Sequence, residues 1–294
     1  MLIMTNPLSA LATNSVSTIA GQSASSGLNG PVSIASFTLV TGTAVDKDGN
    51  IYIVDKNVHQ IKKLSPSGIV STFAGSSQSG LHDDTRLKAQ FKNPHGIIID
   101  TNGNLFISDS GNNVIRKINS NGDVSTYAGT GIAGFNDASS SKAQFNAPLD
   151  MVLDSANNLY IVDSKNQKIR KINNTGDVST YAGSVSGYLD EQGKSAKFKN
   201  PEGLAIDNAD NLYVADKSNH RIRKIDTARK VTTIAGKGSA GYLDDTALNT
   251  MFNNPTDIAL DQEKNIYVVD STNNRIRKIS VIDGSVSSIA GSDS

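Results

Sequence analysis

The sequence predicts an all-β fold, a β-propeller of four-stranded antiparallel blades, with five blades favoured over a six-bladed rival. Three observations carry this. A motif of about 54 residues recurs from one end of the chain to the other. Each copy contains four apolar runs of about five residues bounded by Asp, Asn, Gly or Ser, the pattern of antiparallel strands joined by tight turns. No copy can bury both faces of its own sheet, so copies must pack on one another, and radial packing leaves only short, protected strand edges.

The best-preserved unit runs from Asn200 to Gly236. Its runs are Gly203 to Ile206, Leu212 to Ala215, Arg221 to Ile225 and Val231 to Ala235. None has the length or periodicity of a helix. The first two are apolar at consecutive positions, as suits strands covered on both faces. The Asp closing the first run recurs as Asp46, Asp100, Asp154, Asp207 and Asp261, at steps of 54, 54, 53 and 54. Asp55, Asp109, Asp163, Asp216 and Asp270 close the second run, and Gly75, Gly129, Gly183, Gly236 and Gly291 close the fourth. Five complete repeats follow, about 22–75, 76–129, 130–183, 184–236 and 237–291, in one propeller over 16–294 with no linker between them.

One segment stands outside the five. Val16–Ala20, followed by Gly21, matches a fourth strand with no first three before it. It either adds to the fifth blade, starts an incomplete sixth, or pairs with another molecule. Residues 1–15 are read as a disordered leader. The Ala10-Leu11-Ala12 triplet resembles a signal-peptidase site, but a basic n-region is missing and Asn6-Pro7 interrupts the apolar core.

Composition excludes several function classes. The chain of 294 residues is long enough to bury roughly three quarters of its unfolded surface. Its 28 basic and 28 acidic residues balance, which leaves no global field for nucleic acid or an anionic membrane. With no cysteine there is no disulfide, thiolate metal site or thiol nucleophile. No apolar stretch reaches the length of a membrane span.

The residues NPEGLAIDNADNLYVADKSNHRIRKI resemble the NHL repeat, and the resemblance covers about Ser26 to Gly291. The longer form, with Y-L-D-D and T-I-A-G, is similar to arrays in bacterial surface and secreted proteins. The literal Asn-His pair occurs only at Asn219-His220; the counterparts include Asn113-Val114, Gln167-Lys168 and Asn274-Arg275. The resemblance implies a propeller and, for most members, a binding scaffold. Some relatives bind RNA, and some neighbouring propeller families are calcium-dependent lactonases or lyases.

Candidate sites are weighed against plainer roles. The ten repeated aspartates are assigned to turns and to pairing with third-strand arginines such as Arg116, Arg170 and Arg223, because a residue every blade needs is serving the blade. The basic pairs Lys62-Lys63, Arg116-Lys117, Arg170-Lys171, Arg223-Lys224 and Arg277-Lys278 are read as a solvated, salt-bridged flank, with no nucleic-acid partner expected. The loop acids Asp83, Asp137, Asp190 and Asp244 are read as loop caps, since no loop has the dense acidic spacing of a calcium site. The phenylalanines Phe37, Phe91, Phe145, Phe198 and Phe252 of the long connections are placed between blades. Those connections are expected to carry recognition on one face.

Positions where the copies differ are more informative. After the Pro position come Thr41, His95, Leu149, Glu202 and Thr256, then Gly42, Gly96, Asp150, Gly203 and Asp257. These begin the first strand, which in a propeller lies beside the central channel, so variation there is where an asymmetric site would be written. The candidate ligand-binding residues are Thr41, His95, Asp150, Glu202 and Asp257, with Asp150, Glu202 and Asp257 as a candidate metal set. No catalytic residue is assigned: there is no G-x-S-x-G or H-E-x-x-H, and only His95 of the four histidines is placed near the channel. The expected function is a non-catalytic scaffold, extracellular or on a cell surface, binding protein or glycan, without a cofactor unless calcium. The alternatives are a calcium-dependent lactonase- or lyase-like enzyme and a module that self-associates through Val16–Ala20.

Overall fold

The computed structural model describes residues 16–22 and 26–292, so the leader assigned to 1–15 lies outside the described residues. Five antiparallel sheets stand around a central cavity. In each, the four blade strands run in chain order from the cavity outward. The blades comprise Val40–Val45 to Ile69–Ala74, Ile97–Ile99 to Asp123–Ala128, Pro148–Leu153 to Val178–Ala182, Leu204–Ile206 to Val231–Ala235, and Pro255–Leu260 to Val286–Ala290. The fold is all-β, a five-bladed propeller with only short 3-10 turns among the described residues. Among the described residues, no helix is long and apolar enough to cross a membrane.

The repeated aspartates build each blade. Asp46 Oδ1 accepts the backbone N–H groups of Asp48 and Asn50 at 3.0 and 2.8 Å, and its Oδ2 accepts the Asn50 side chain at 2.8 Å. The same closure recurs at Asp100, Asp154, Asp207 and Asp261. A carboxylate offering both oxygens to the turn stabilises the reversal into the second strand. Tyr52, Tyr160, Tyr213 and Tyr267 on that strand each add a hydroxyl donor.

Glycine ends each fourth strand for a steric reason. At Gly236, φ is +98° and an added Cβ would lie 2.4 Å from the His220 carbonyl oxygen. Only a residue without a side chain fits both conditions.

Neighbouring blades share apolar cores, as the repeat argument requires. Between the fourth and fifth, Tyr213, Ala215, Ile222 and Ala235 meet Phe252, Ile258, Ile266 and Val268. Phe91, Phe145, Phe198 and Phe252 are fully buried, each contributing about 1.5–3 kcal/mol by leaving water.

The long connections do more than loop. Asp84–Thr85 pairs with the fourth strand of the second blade, and Gly30–Pro31 does so on the first. Single bridges Ser139↔Asp177, Gln192↔Lys230 and Thr246↔Ser285 repeat this on the other three. Each connection thus descends the outer edge of the next blade and covers it. Val16–Ala20 joins no sheet; the outermost strand of the fifth blade is Val286–Ala290.

Candidate functional site

The repeated cations sit inside the blades. Lys62, Arg116, Arg170, Arg223 and Arg277 are buried, which corrects the solvated flank expected for this strand. Arg223 Nη1 lies 2.7 Å from Asp216 Oδ2, and its Nη2 reaches Asp190 Oδ1 at 2.5 Å. Its remaining donors meet the Lys197 and Leu189 carbonyls. Arg116, Arg170 and Arg277 repeat the arrangement with Asp109 and Asp83, Asp163 and Asp137, and Asp270 and Asp244. A buried guanidinium needs such pairing, although Nε of Arg116 and of Arg170 is buried without a hydrogen-bond partner. The four loop acids are therefore engaged in holding the connection to the blade. The second cation of each pair stands over an aromatic ring instead, as Lys171 does over Tyr160 at 5.1 Å.

The first blade departs from the pattern at both partners together. Its connection lacks the loop Asp and its third strand has Lys62, whose Nζ donates to Gly27 O, Asn29 Oδ1 and Thr72 Oγ1. Asp55 Oδ2 is left buried with no hydrogen-bond partner.

A second repeated contact escaped the sequence reading. The residue after the 3-10 turn that follows each second strand is left-handed: His59, Asn113, Gln167, His220 and Asn274 have φ between 53° and 59°. His59 Nδ1 accepts the Asn93 backbone N–H at 3.2 Å across the blade boundary. Asn113 Oδ1, Gln167 Oε1 and His220 Nδ1 do the same for Ala147, Asn200 and Asn254. The available signal was that this position varies only among side chains able to accept a hydrogen bond.

At the channel mouth, Thr41, His95, Asp150, Glu202 and Asp257 all line one cavity of about 810 Å³, with Lys217 among them. The ladder shifts register between Val40 and Gly42, Pro148 and Met151, and Pro255 and Asp257. Such bulges re-aim side chains beside sites. Part of the variation is steric. An added Cβ would lie 2.7 Å from the His95 oxygen at Gly42, 2.5 Å from the Leu149 oxygen at Gly96 and 2.6 Å from the Asp257 Cα at Gly203.

The polar groups share the wall without converging on one point. Asp150 Oδ1 accepts the Met151 N–H at 2.8 Å, and its Oδ2 accepts the Leu204 N–H of the next blade at 2.7 Å. Glu202 Oε2 is 2.7 Å from Lys217 Nζ, and Asp257 Oδ1 accepts the Ile258 N–H at 2.8 Å. Thr41 donates to the His95 carbonyl at 2.9 Å, whereas His95 Nδ1 is buried without a partner. Among the described residues, no three His, Asp or Glu side chains are placed to hold a metal ion. Asp150, Glu202 and Asp257 spend oxygens on backbone amides or Lys217 instead, so the metal set expected from sequence is not assembled.

Electrostatics follow from this crowding. Burial, then the Lys56 and Lys217 charges, lowers the His95 pKa to about 4, leaving a neutral imidazole. Burial, then Asp257 and more weakly Glu202, raises Asp150 to about 7. Asp257, more open to the channel, is raised by lost hydration and by Glu202. The mouth is therefore polar but carries less negative charge at neutral pH than its three carboxyl groups suggest.

A ring of four-stranded blades with a polar central mouth defines a five-bladed β-propeller. Three of the blades, the first, fourth and fifth, match the NHL repeat family, at residues 37–64, 198–225 and 252–279. It is 27% identical over 289 residues to NHL repeat-containing protein 2 of Homo sapiens, covering 85% of this chain and 40% of that one. The chain spans less than half the length of the curated relatives it matches. Among solved structures, it is similar to an auxiliary nutrient binding protein of Bacteroides ovatus, with TM-score 0.63, 18% identity and coverage of 86% and 60%. It is also similar to virginiamycin B lyase from Staphylococcus aureus, with TM-score 0.55, 13% identity and coverage of 85% and 69%. At these identities the two structures speak for the fold alone.

Proposed function

We propose that this propeller is a non-catalytic binding scaffold that takes a polar protein or glycan segment at its channel mouth, in an extracellular or cell-surface setting. The observation that carries this reading is the cavity itself. Its volume lies in the range of ligand sites, and its lining mixes Thr41, His95, Glu202, Lys217 and Asp257 with apolar wall. Five near-identical blades would make a symmetric mouth, and these side chains break the symmetry on one opening. Catalysis would need a base oriented by a partner and aimed at a reacting group. Here the carboxylates are committed to amides and Lys217, and the His95 imidazole has no orienting acid.

Two assays test this together. A glycan and extracellular-matrix protein array is expected to retain at least one ligand, whose binding falls about tenfold in Glu202→Gln and in His95→Ala through lost hydrogen bonds. A panel of lactones and cyclic depsipeptides, with and without millimolar calcium, is expected to show no turnover above buffer. Turnover abolished by His95→Ala would overturn the reading.

A further inference from the structure

A second cavity opens at the other end of the first strands from the channel mouth. The strand Val40–Val45 starts beside Thr41, in the mouth, and runs into Asp46; Ile97–Ile99 of the second blade likewise runs into Asp100. Between these two turns lies a cleft of about 490 Å³, within the range of small-molecule sites. One wall is Tyr52 and Phe73 of the first blade, packed edge to face at 4.8 Å. The other is the second blade's turn at residues 119–122, with Arg86 of the incoming connection laid across it.

Arg86 is where this boundary breaks the repeat. In every blade a connection residue donates its backbone N–H to the turn between third and fourth strands: Val32 to Gly68, Arg86 to Gly122, Ser140 to Gly176, Gly193 to Arg229 and Ala247 to Gly284. The backbone contact is shared by all five, so it is a brace; the arginine side chain is not shared. Its guanidinium lies 5.0 Å from the Phe73 ring centroid. Its stem passes Gly122, where an added Cβ would come 3.4 Å from Arg86 Cδ. Ring and glycine hold the planar fork in place. Among the described residues, that guanidinium makes no hydrogen bond or ion pair.

The corresponding cleft between the third and fourth blades is filled by the chain itself. Arg229 stands 5.2 Å over Tyr181, and Asp210 accepts the Ser155 N–H and hydroxyl at 3.0 and 2.7 Å, tying the two turns together. At the first boundary the counterpart of Asp210 is Gly103, where an added Cβ would meet nothing within 4 Å. The turns there stay apart. Among the described residues, the Asp48 and Asn102 side chains that line the opening make no hydrogen bond within the chain.

We propose that this cleft is a second ligand site, for a small monocarboxylate bearing hydroxyl groups, a sugar acid. The Arg86 fork matches a carboxylate with two parallel N–H donors, and Asp48 and Asn102 meet the hydroxyls. The charges in the cleft fix the valence of the ligand. Lys47, Lys63 and Arg86 are matched by Asp46, Asp48 and Asp100, and Asp46 and Asp100 spend their oxygens on their own turns. One negative charge is met by the unpaired fork; a phosphate dianion would also face three carboxylates.

Ligand-observed NMR titration of the whole chain with D-glucuronate, D-glucose and a glucose monophosphate tests this. Glucuronate is expected to bind at least about tenfold tighter than the other two. Arg86→Gln is expected to weaken glucuronate about tenfold or more, and Arg86→Lys, which keeps the charge without the fork, by less. Both variants are expected to melt within about 2 °C of the parent, since the brace is backbone. Glu202→Gln, at the channel mouth, is expected to leave glucuronate binding unchanged, so this site and the mouth succeed or fail separately. Equal affinity for glucose, tighter binding of the phosphate, or no saturation by glucuronate at about 10 mM would overturn the proposal. So would a loss in Glu202→Gln without one in Arg86→Gln, which would move the ligand to the mouth. A large fall in the melting temperature of Arg86→Gln would make the side chain a structural strut and overturn it as well.

Discussion

Arg170 Nη1 lies 2.7 Å from Asp163 Oδ2, and neither side chain is exposed to water. The same pair stands in three other blades, and each guanidinium also grips the acid of its connection. The ion pair therefore ties the second strand, third strand and incoming connection into one unit.

Arg170→Ala should cost about 3–5 kcal/mol, because it strands a buried carboxylate. Burial already raises the Asp163 pKa. A raised carboxylate pKa gives stability that is present at low pH and lost as pH rises through the folded value. The loss in Arg170→Ala should therefore be larger at pH 8 than at pH 5, as chemical denaturation at the two pH values would reveal. Equal losses would show that Asp163 is rehydrated in the variant.

His220 holds a left-handed conformation with φ of 54° and accepts the Asn254 N–H at 3.1 Å. His220→Ala should cost about 1–3 kcal/mol, from an unsatisfied amide and from backbone strain. His220→Asn should stay within about 0.5 kcal/mol of the parent, since Asn113 fills the same role. Thermal melts of both variants at pH 7.5 decide between this role and a merely space-filling one.

Asp150 supplies a pH signature. Its pKa is raised to about 7 in the folded chain, against about 3.9 when unfolded. Between those values the folded state keeps a proton the unfolded state has lost, so this group's stability is full below about pH 4 and is lost toward pH 7. Asp150→Asn should flatten the decline in melting temperature between pH 5 and pH 8. Parallel profiles for variant and parent would refute the assignment.

Lys62 and Asn29 offer a gain. Asp55 Oδ2 is buried without a partner where other blades have an arginine. Lys62→Arg with Asn29→Asp restores the repeated triad and should show a favourable coupling of about 0.5–3 kcal/mol in a double-mutant cycle. Additive or unfavourable single effects would mean that the degenerate first connection cannot close on the guanidinium.

What the sequence determined by itself was most of what recurs within a single blade. Strand number per blade, the turn role of Asp46 and its counterparts, the Asp–Arg pairing and the inter-blade phenylalanines all follow from one unit seen five times. Repetition averages away accident and leaves what backbone geometry demands. The tertiary structure decided what depends on distance between repeats. It buried Arg116 and its counterparts, which periodicity had placed on a wet flank, because the connection folds back over them. It brought Thr41, His95, Asp150, Glu202 and Asp257 around one cavity yet kept their oxygens on separate partners, and it paired Glu202 with Lys217, a residue on a different turn. Local pattern encodes what a strand needs on each side; only the packed arrangement reveals which of those needs a neighbour has met.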